Sequence, residues 1–485
     1  MNDNKTLDGL LMNRRRWMQR SGATLAGALG ATSLSALMPA TAHAQVGGYK
    51  ALVCLFLYGG NDGFNMVVPR DTTRHALYAG VRGTRLTIPR SSLVALGADY
   101  GLHPAMSALA PIWADNGLVP VFNLGPLAVP LTKAEYRNRT RPQPEKLFSH
   151  SDQQLLWEAG GPSVISRTGW GGRAAATVSG NGQPVISVGG NGRFGLSALE
   201  VPLVLPGPGG TFGVQGLTGT WTPTVARRNA LNALYAASHQ NVLLNSFAAQ
   251  QRGAFDMAER LGSVVAVQPD SSTGPAVVPG LALINAAFQP ITSGNRINTG
   301  IGRQLFQIAK LVAARDTVQG NRKIFFAQQG GFDTHGDQVG ATSEVGQHAN
   351  LLKQLADAMA CFYNAMQAIG MGDSVTLFTQ SDFGRTFKPN NSSGTDHAWG
   401  NNQLVMGGAV NGGATYGTYP ELVLGGPDDV GQHAWELHGR WIPTSSVDQY
   451  AATLLRWFGA SEGQLNTVLP NLSNFTNRNL GFMSV

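Results

Sequence analysis

The chain has 485 residues, a formal net charge of +7 and 13% charged side chains, about half the share of an ordinary domain. Lys5, Arg14, Arg15, Arg16 and Arg20 oppose Asp3 and Asp8 in the first 44 positions, so the remainder carries about +4 with no basic run. That excludes an electrostatic nucleic-acid surface, while the length allows a large α/β domain with a substantial core.

The first 44 residues read as an address. Arg14, Arg15 and Arg16 precede an Ala/Gly-rich apolar run from Gly22 to Met38, and Ala42-His43-Ala44 is a small-residue cleavage pattern. The paired arginines resemble a twin-arginine export signal, which implies a periplasmic or secreted protein. The apolar run falls short of the roughly 20 residues a membrane span needs. No membrane span is expected once the leader is removed.

Residues 45–485 read as a single α/β domain. KALVCLFLY (50–58) is nearly all apolar, as a central parallel strand is. Residues 103–117 read as a helix closed by Gly117, and 117–125 as a strand weakened by Pro120. In 148–160, Ser149 or Ser151 caps a helix that Gly160 and Gly161 end. The stretch 161–225 turns rich in Gly and Pro, as an inserted or covering region would. Helical periodicity returns over 226–262 and 297–315. NRKIFFAQQ (321–329) is a strand halted by Gly330 and Gly331.

Residues 343–369 form an amphipathic helix, with Leu351, Leu352, Leu355, Met359, Phe362 and Met366 at helical spacing. Strands follow at 373–381 and 403–408, then a helix at 447–459 stopped by Gly459. This alternation predicts a mainly parallel sheet with helices on both faces. Cys54 and Cys361 both lie in apolar surroundings and read as buried free thiols, although an exported compartment would permit a bridge.

Four runs set acids and imidazoles at strand ends: LYGGNDGFN with Asp62, GGFDTHGDQ with Asp333 and His335, TQSDFGRT with Asp382 and Arg385, and GTDHAWGN with Asp396 and His397. Open α/β sheets bind ligands at such loops. Residues two apart in extended chain point the same way, so Asp333 and His335 converge. Acids and imidazoles gathered this way suit a metal-dependent hydrolase. Asp62 is a metal carboxylate or a turn residue. His397 is a ligand and Asp396 its support. Arg385 reaches an anionic substrate bidentately, or pairs with Asp382 to shape the loop.

Asp337 is assigned to the surroundings of the site, and His348 to a helix face. Trp399 walls a pocket or packs in the core. Ser149 is the first choice of nucleophile, at a helix N-terminus that favours an anion, with the adjacent His150 as a supporting residue. Ordinary capping competes with that role. There is no G-x-S-x-G elbow, Walker loop or H-E-x-x-H pair.

Together with the twin-arginine start, LYGGNDGFNMVVP, LHPAMSALAPIWADNGLVPVFNLG, SHSDQQLLWE, GGFDTHGDQ, SDFGRT and GTDHAWGN resemble the exported domain of unknown function 1501 family, over nearly the whole mature chain. That family is similar in outline to the alkaline phosphatase and sulfatase superfamily. The resemblance implies an alkaline-phosphatase-like fold, a site for one or two divalent metals (Zn, Mn, Mg or Ca), and hydrolysis of small phosphate or sulfate esters. It further implies that Asp62 and Asp382 hold one metal, that Asp333, His335 and His397 hold the other, and that Ser149 is the nucleophile. Two departures stand out. Phe383 replaces an imidazole common in that superfamily, and no C/S-x-P-x-R sequence lies near the expected nucleophile. The alternatives are a binding or scaffold protein on a degenerate fold of this kind, and an exported protein that holds a cation for stability alone.

Overall fold

Strand β1 (Lys50–Leu57) alternates between two cores. Ala51, Val53, Leu55 and Leu57 enter one, and Leu52, Cys54 and Phe56 the other. A strand apolar on both sides needs cover on both, and the architecture follows from that. The computed structural model describes residues 48–484 except 162, 164, 180–183, 199, 215, 218 and 238–240. The expected leader, residues 1–44, lies outside the described residues. Tyr49–Val485 form one compact unit.

The remaining strands of the central sheet are β2 (Leu118–Gly125), β3 (Ile186–Ser187), β4 (Leu203–Val204), β5 (Arg322–Gln329), β6 (Val375–Ser381), β7 (Asn401–Met406), β8 (Tyr416–Gly417) and β9 (Ser445–Ser446). Their order is β8-β2-β7-β6-β1-β5-β3-β4, with β9 also pairing β2. Strand β7 is antiparallel to β6 and β2; the other pairings are parallel. The sheet is therefore mixed and mostly parallel. The Gly/Pro-rich stretch supplies its last two strands, β3 and β4.

Seven helices matter to the argument: α1 (Thr72–Leu86), α2 (His150–Ala159), α3 (Thr222–Ala236), α4 (Val242–Ala266), α5 (Gly300–Ala313), α6 (Gln347–Ala368) and α7 (Val447–Phe458). Helices α5 and α6, with the end of α4, cover one face of the sheet. Helix α7 and Trp157 of α2 cover the other. Cys54 and Cys361 are free and buried. The single helix expected over 103–117 is instead a 3-10 turn, Pro104–Leu109, followed by Ala110–Ala114. Met106 departs from helical backbone there, and Pro111 has no N–H to bond the preceding turn. No helix among the described residues is long and apolar enough to cross a membrane.

Candidate metal centre

Parallel pairing decides where the loops meet. Leu57 at the end of β1 lies opposite Gln329 of β5 and Ser381 of β6, so three motif loops leave the sheet side by side. Gly59 makes their contact possible. Its φ is +111° and a Cβ there would sit 2.4 Å from the Asp333 nitrogen. Its N–H donates to both Asp382 carboxylate oxygens, at 3.1 and 3.2 Å. The fourth loop arrives by folding back on the third, with Arg385 opposite His397 in an antiparallel bridge.

Helix α2 supplies what the strands do not. His150 and Gln154 stand one turn apart on a single face. Both reach Asp382 Oδ2, His150 through Nδ1 at 2.7 Å and Gln154 through Nε2 at 2.9 Å.

Each of three imidazoles is tied at Nδ1 to a group that only accepts. His150 donates to the Asp382 carboxylate. His335 donates to Asp396 Oδ1 at 3.1 Å, and His397 to the Phe148 carbonyl at 2.7 Å. When neutral, all three therefore carry the proton on Nδ1 and present a lone pair at Nε2. Those lone pairs converge. His150, His335 and His397 place Nε2 at 3.2, 3.1 and 3.7 Å from Asp333 Oδ1, and the last two approach each other to 2.8 Å. One donor atom from each of the four residues lies within 4.8 Å of the others. His150 Nε2 is buried and makes no hydrogen bond. Electron pairs facing one another and a carboxylate oxygen require a proton or a cation between them. The donor set thus fits a metal ion.

Charge around the centre is graded. Burial opposes ionisation of Asp333, but the Arg385 guanidinium, 2.5 Å away, outweighs it with help from His150 and His335. The carboxyl stays below its usual range. The Asp382 hydrogen bond raises His150 against the effect of partial burial. Burial lowers His397; the Phe148 carbonyl opposes this, and His150, Arg385 and His335 add to it. Phe383, fully buried, sets its ring 4.7 Å from both His150 and His397. The two imidazoles therefore rest on an apolar floor.

Of the five expected ligands, Asp333, His335 and His397 meet. Asp382 is a correction. It is fully buried, accepts from Gly59, His150 and Gln154, and stands behind His150, outside the converging donors. Asp62 is a second. It pairs with Arg82 at 2.6 Å, both side chains being wholly buried, and accepts from Gln338 Nε2 at 2.7 Å. Burial disfavours its charge, but Arg82 overrides that and holds the carboxyl below its usual range.

Arg385 is a third correction. Its guanidinium is buried and bonded to the carbonyls of Gly60, Thr395, Gly59 and Phe332 and to Asp333. None of its nitrogens is left to meet a substrate. Asp396 accepts from His335 and not from His397, the imidazole it was expected to support. It accepts in turn from Asn390 at 3.0 Å. His150, expected only to support, is a converging donor.

Ser149 occupies the cap position of α2 without a capping bond; its hydroxyl donates to Asp152 Oδ2 at 2.7 Å. Asp337 is exposed and outside the cluster. His348 is buried, bonded to Asn61 and pushed down to about 3 by burial. Trp399 packs with Leu127, Val430, Ile442 and Phe475 as a core residue. The converging position of His150 left one signal in the sequence: His150 and Gln154 at helical spacing, with Glu158 a further turn on.

The sequence profile of the family described as "Protein of unknown function (DUF1501)" matches residues 49–439. No curated protein matches the chain. Among solved structures, the protein Ps i-CgsB shares 10% identity over 89% of this chain and 77% of its own, with a TM-score of 0.34. The same protein in complex with k-i-k-neocarrahexaose shares 10% identity over 86% and 74%, with a TM-score of 0.32. Likeness at that level carries no argument about fold or chemistry.

Proposed function

Because the chain belongs to the DUF1501 family, whose description assigns no activity, we propose a function from the site alone: a metal-dependent hydrolase of phosphate or sulfate esters, similar in outline to the alkaline phosphatase and sulfatase superfamily. One observation carries this reading. Three Nε2 lone pairs and the Asp333 carboxylate converge, and every imidazole is fixed from behind. Ligands held by outer partners in this way are typical of working metal sites.

Three nitrogens and one oxygen favour Zn²⁺ or another first-row ion over Mg²⁺ or Ca²⁺, which prefer oxygen. An ion held there supplies Lewis-acid polarisation of an ester oxygen. The chain's own groups do the rest. Arg385 fixes the Asp333 carboxylate. Phe383 keeps water from beneath His150 and His397. Ser149, next in sequence to His150, supplies the nucleophile, and Asp152 accepts its proton. The test is metal analysis of the pure protein with a screen of chromogenic phosphate and sulfate esters. His335→Ala is expected to remove both metal and turnover; full turnover in that variant would overturn the reading.

A second reading is a binding or scaffold protein. The occupied state of Asp62, Asp382 and Arg385 favours it, since three expected working groups are engaged structurally. Saturable hydrolysis by the pure protein would exclude it. We also place the mature protein outside the cytoplasm, on the strength of the twin-arginine-like leader. N-terminal sequencing of the exported form is expected to begin near residue 45, and an intact leader on a cytoplasmic protein would refute this.

A further inference from the structure

Helices α3 and α4 form a hairpin that the core holds at one end only. Leu261, Val264 and Val265 of α4 are buried, and Lys310 Nζ bonds the carbonyls of Val264, Val265 and Val267. Helix α3 buries only Thr224. Near the far end, Tyr235 packs against Phe247 and Phe255 across the pair. At and beyond that contact large apolar side chains face solvent: Leu234 is 55% exposed, Val242 50%, Leu243 72%, Leu244 46% and Phe247 50%. Exposed apolar clusters of this kind mark sites of contact with another surface.

Two features narrow what that surface is. First, Val242, Leu243 and Leu244 are consecutive in a helix, about 100° apart around its axis. They spread over more than half its circumference, which one flat protein face cannot cover but a fluid layer can. Second, residues 229–251 contain no Asp, Glu, Lys or Arg, and the charges that border them are Arg227, Arg228 and Arg252. No acid occurs from 201 to 255. Arg252 stands about 15 Å along α4 from Val242 and Arg228 about 9 Å along α3 from Leu234. A tip buried some 5–10 Å into a lipid surface brings those cations to the phosphate level.

We propose that the tip of the α3–α4 hairpin docks into an anionic lipid surface, with Leu234, Val242, Leu243, Leu244 and Phe247 inserted and the arginines at the headgroups. This stands apart from the metal centre. The test is cosedimentation with phosphatidylglycerol-containing and pure phosphatidylcholine vesicles. It uses the full chain and the compact Tyr49–Val485 unit, because the first residues are themselves basic and apolar.

Both forms are expected to bind the anionic vesicles in preference. Val242→Glu with Leu243→Glu is expected to weaken binding at least about tenfold, and Arg252→Glu about fivefold. The altered residues are exposed, so the melting temperature should hold, and an unchanged melt shows that any lost binding is local. Vesicle binding untouched by the double variant would overturn the proposal. So would binding that vanishes with residues 1–48, or a dimer seen by light scattering that the same variant dissolves in a protein with no lipid affinity.

Discussion

Asp62 and Asp333 begin as near equivalents. Each follows a glycine pair, at the ends of two strands that lie side by side in parallel, and each has an arginine within hydrogen-bond reach. They end as opposites. Asp62 and Arg82 are sealed together without solvent, and the surrounding Gln338, Asn61 and His348 complete a buried polar knot. The Asp333 side chain stays about half exposed, and its arginine is shared among four backbone carbonyls. A carboxylate with a private cation is neutralised and becomes part of the fold. One that shares its cation, and faces three imidazole lone pairs, still has charge to offer.

The sharpest way to break this contrast is to cut each corner. Asp62→Ala strands Arg82, whose Nε and Nη1 already lack partners. Leaving one partner of a buried ion pair costs about 3–5 kcal/mol. Urea unfolding is expected to show that loss, while metal content per folded chain stays unchanged. Restoring apolar shape on both sides with Asp62→Leu and Arg82→Met should recover most of the stability. A metal-free Asp62→Ala protein of wild-type stability would reverse the two roles.

At the other corner, His150→Ala is expected to weaken Zn²⁺ binding by at least about a hundredfold, measured by competition with a chromogenic chelator. The metal-free variant should melt close to the metal-free parent. Asp382→Asn removes the charge behind His150 and one of the two acceptor oxygens, so a fall of about 10–100-fold in the same assay is expected. An Asp382→Asn loss exceeding that of His150→Ala would make Asp382 the ligand after all.

The smallest effect is one of pH. The Asp62 carboxyl titrates below its unfolded value of about 3.9. Its stabilisation is therefore whole above about pH 4 and declines as pH falls through the lower folded value. Asp62→Asn should flatten the acid side of the stability–pH profile. Identical acid limbs in the two proteins would show that Arg82 does not hold the charge.

How much of this could be read from the chain follows from the range of each interaction. The central strands were legible because KALVCLFLY and NRKIFFAQQ are apolar on both faces, which only a covered parallel strand tolerates. The Asp333–His335 pair was legible because strand geometry is local. The fate of Asp62 was not, since Arg82 comes from a helix 20 positions later and nothing local announces the pairing. Arg385 misled for a related reason: a lone arginine after a strand looks the same whether its fork meets a substrate or five groups of its own chain. His150 was noticed but placed one step too far out. Its role depends on α2 docking against β6, a contact between segments more than 200 residues apart.

The two thiols carry a last consequence. Cys54 and Cys361 belong to the two separate cores on opposite faces of the sheet, so no rearrangement short of unfolding joins them. The fold rests on no disulfide, so forming it needs neither an oxidant nor a disulfide isomerase. It can complete its fold amid cytosolic reductants and lose nothing in an oxidising milieu, and a reducing agent should leave its melting temperature where it was.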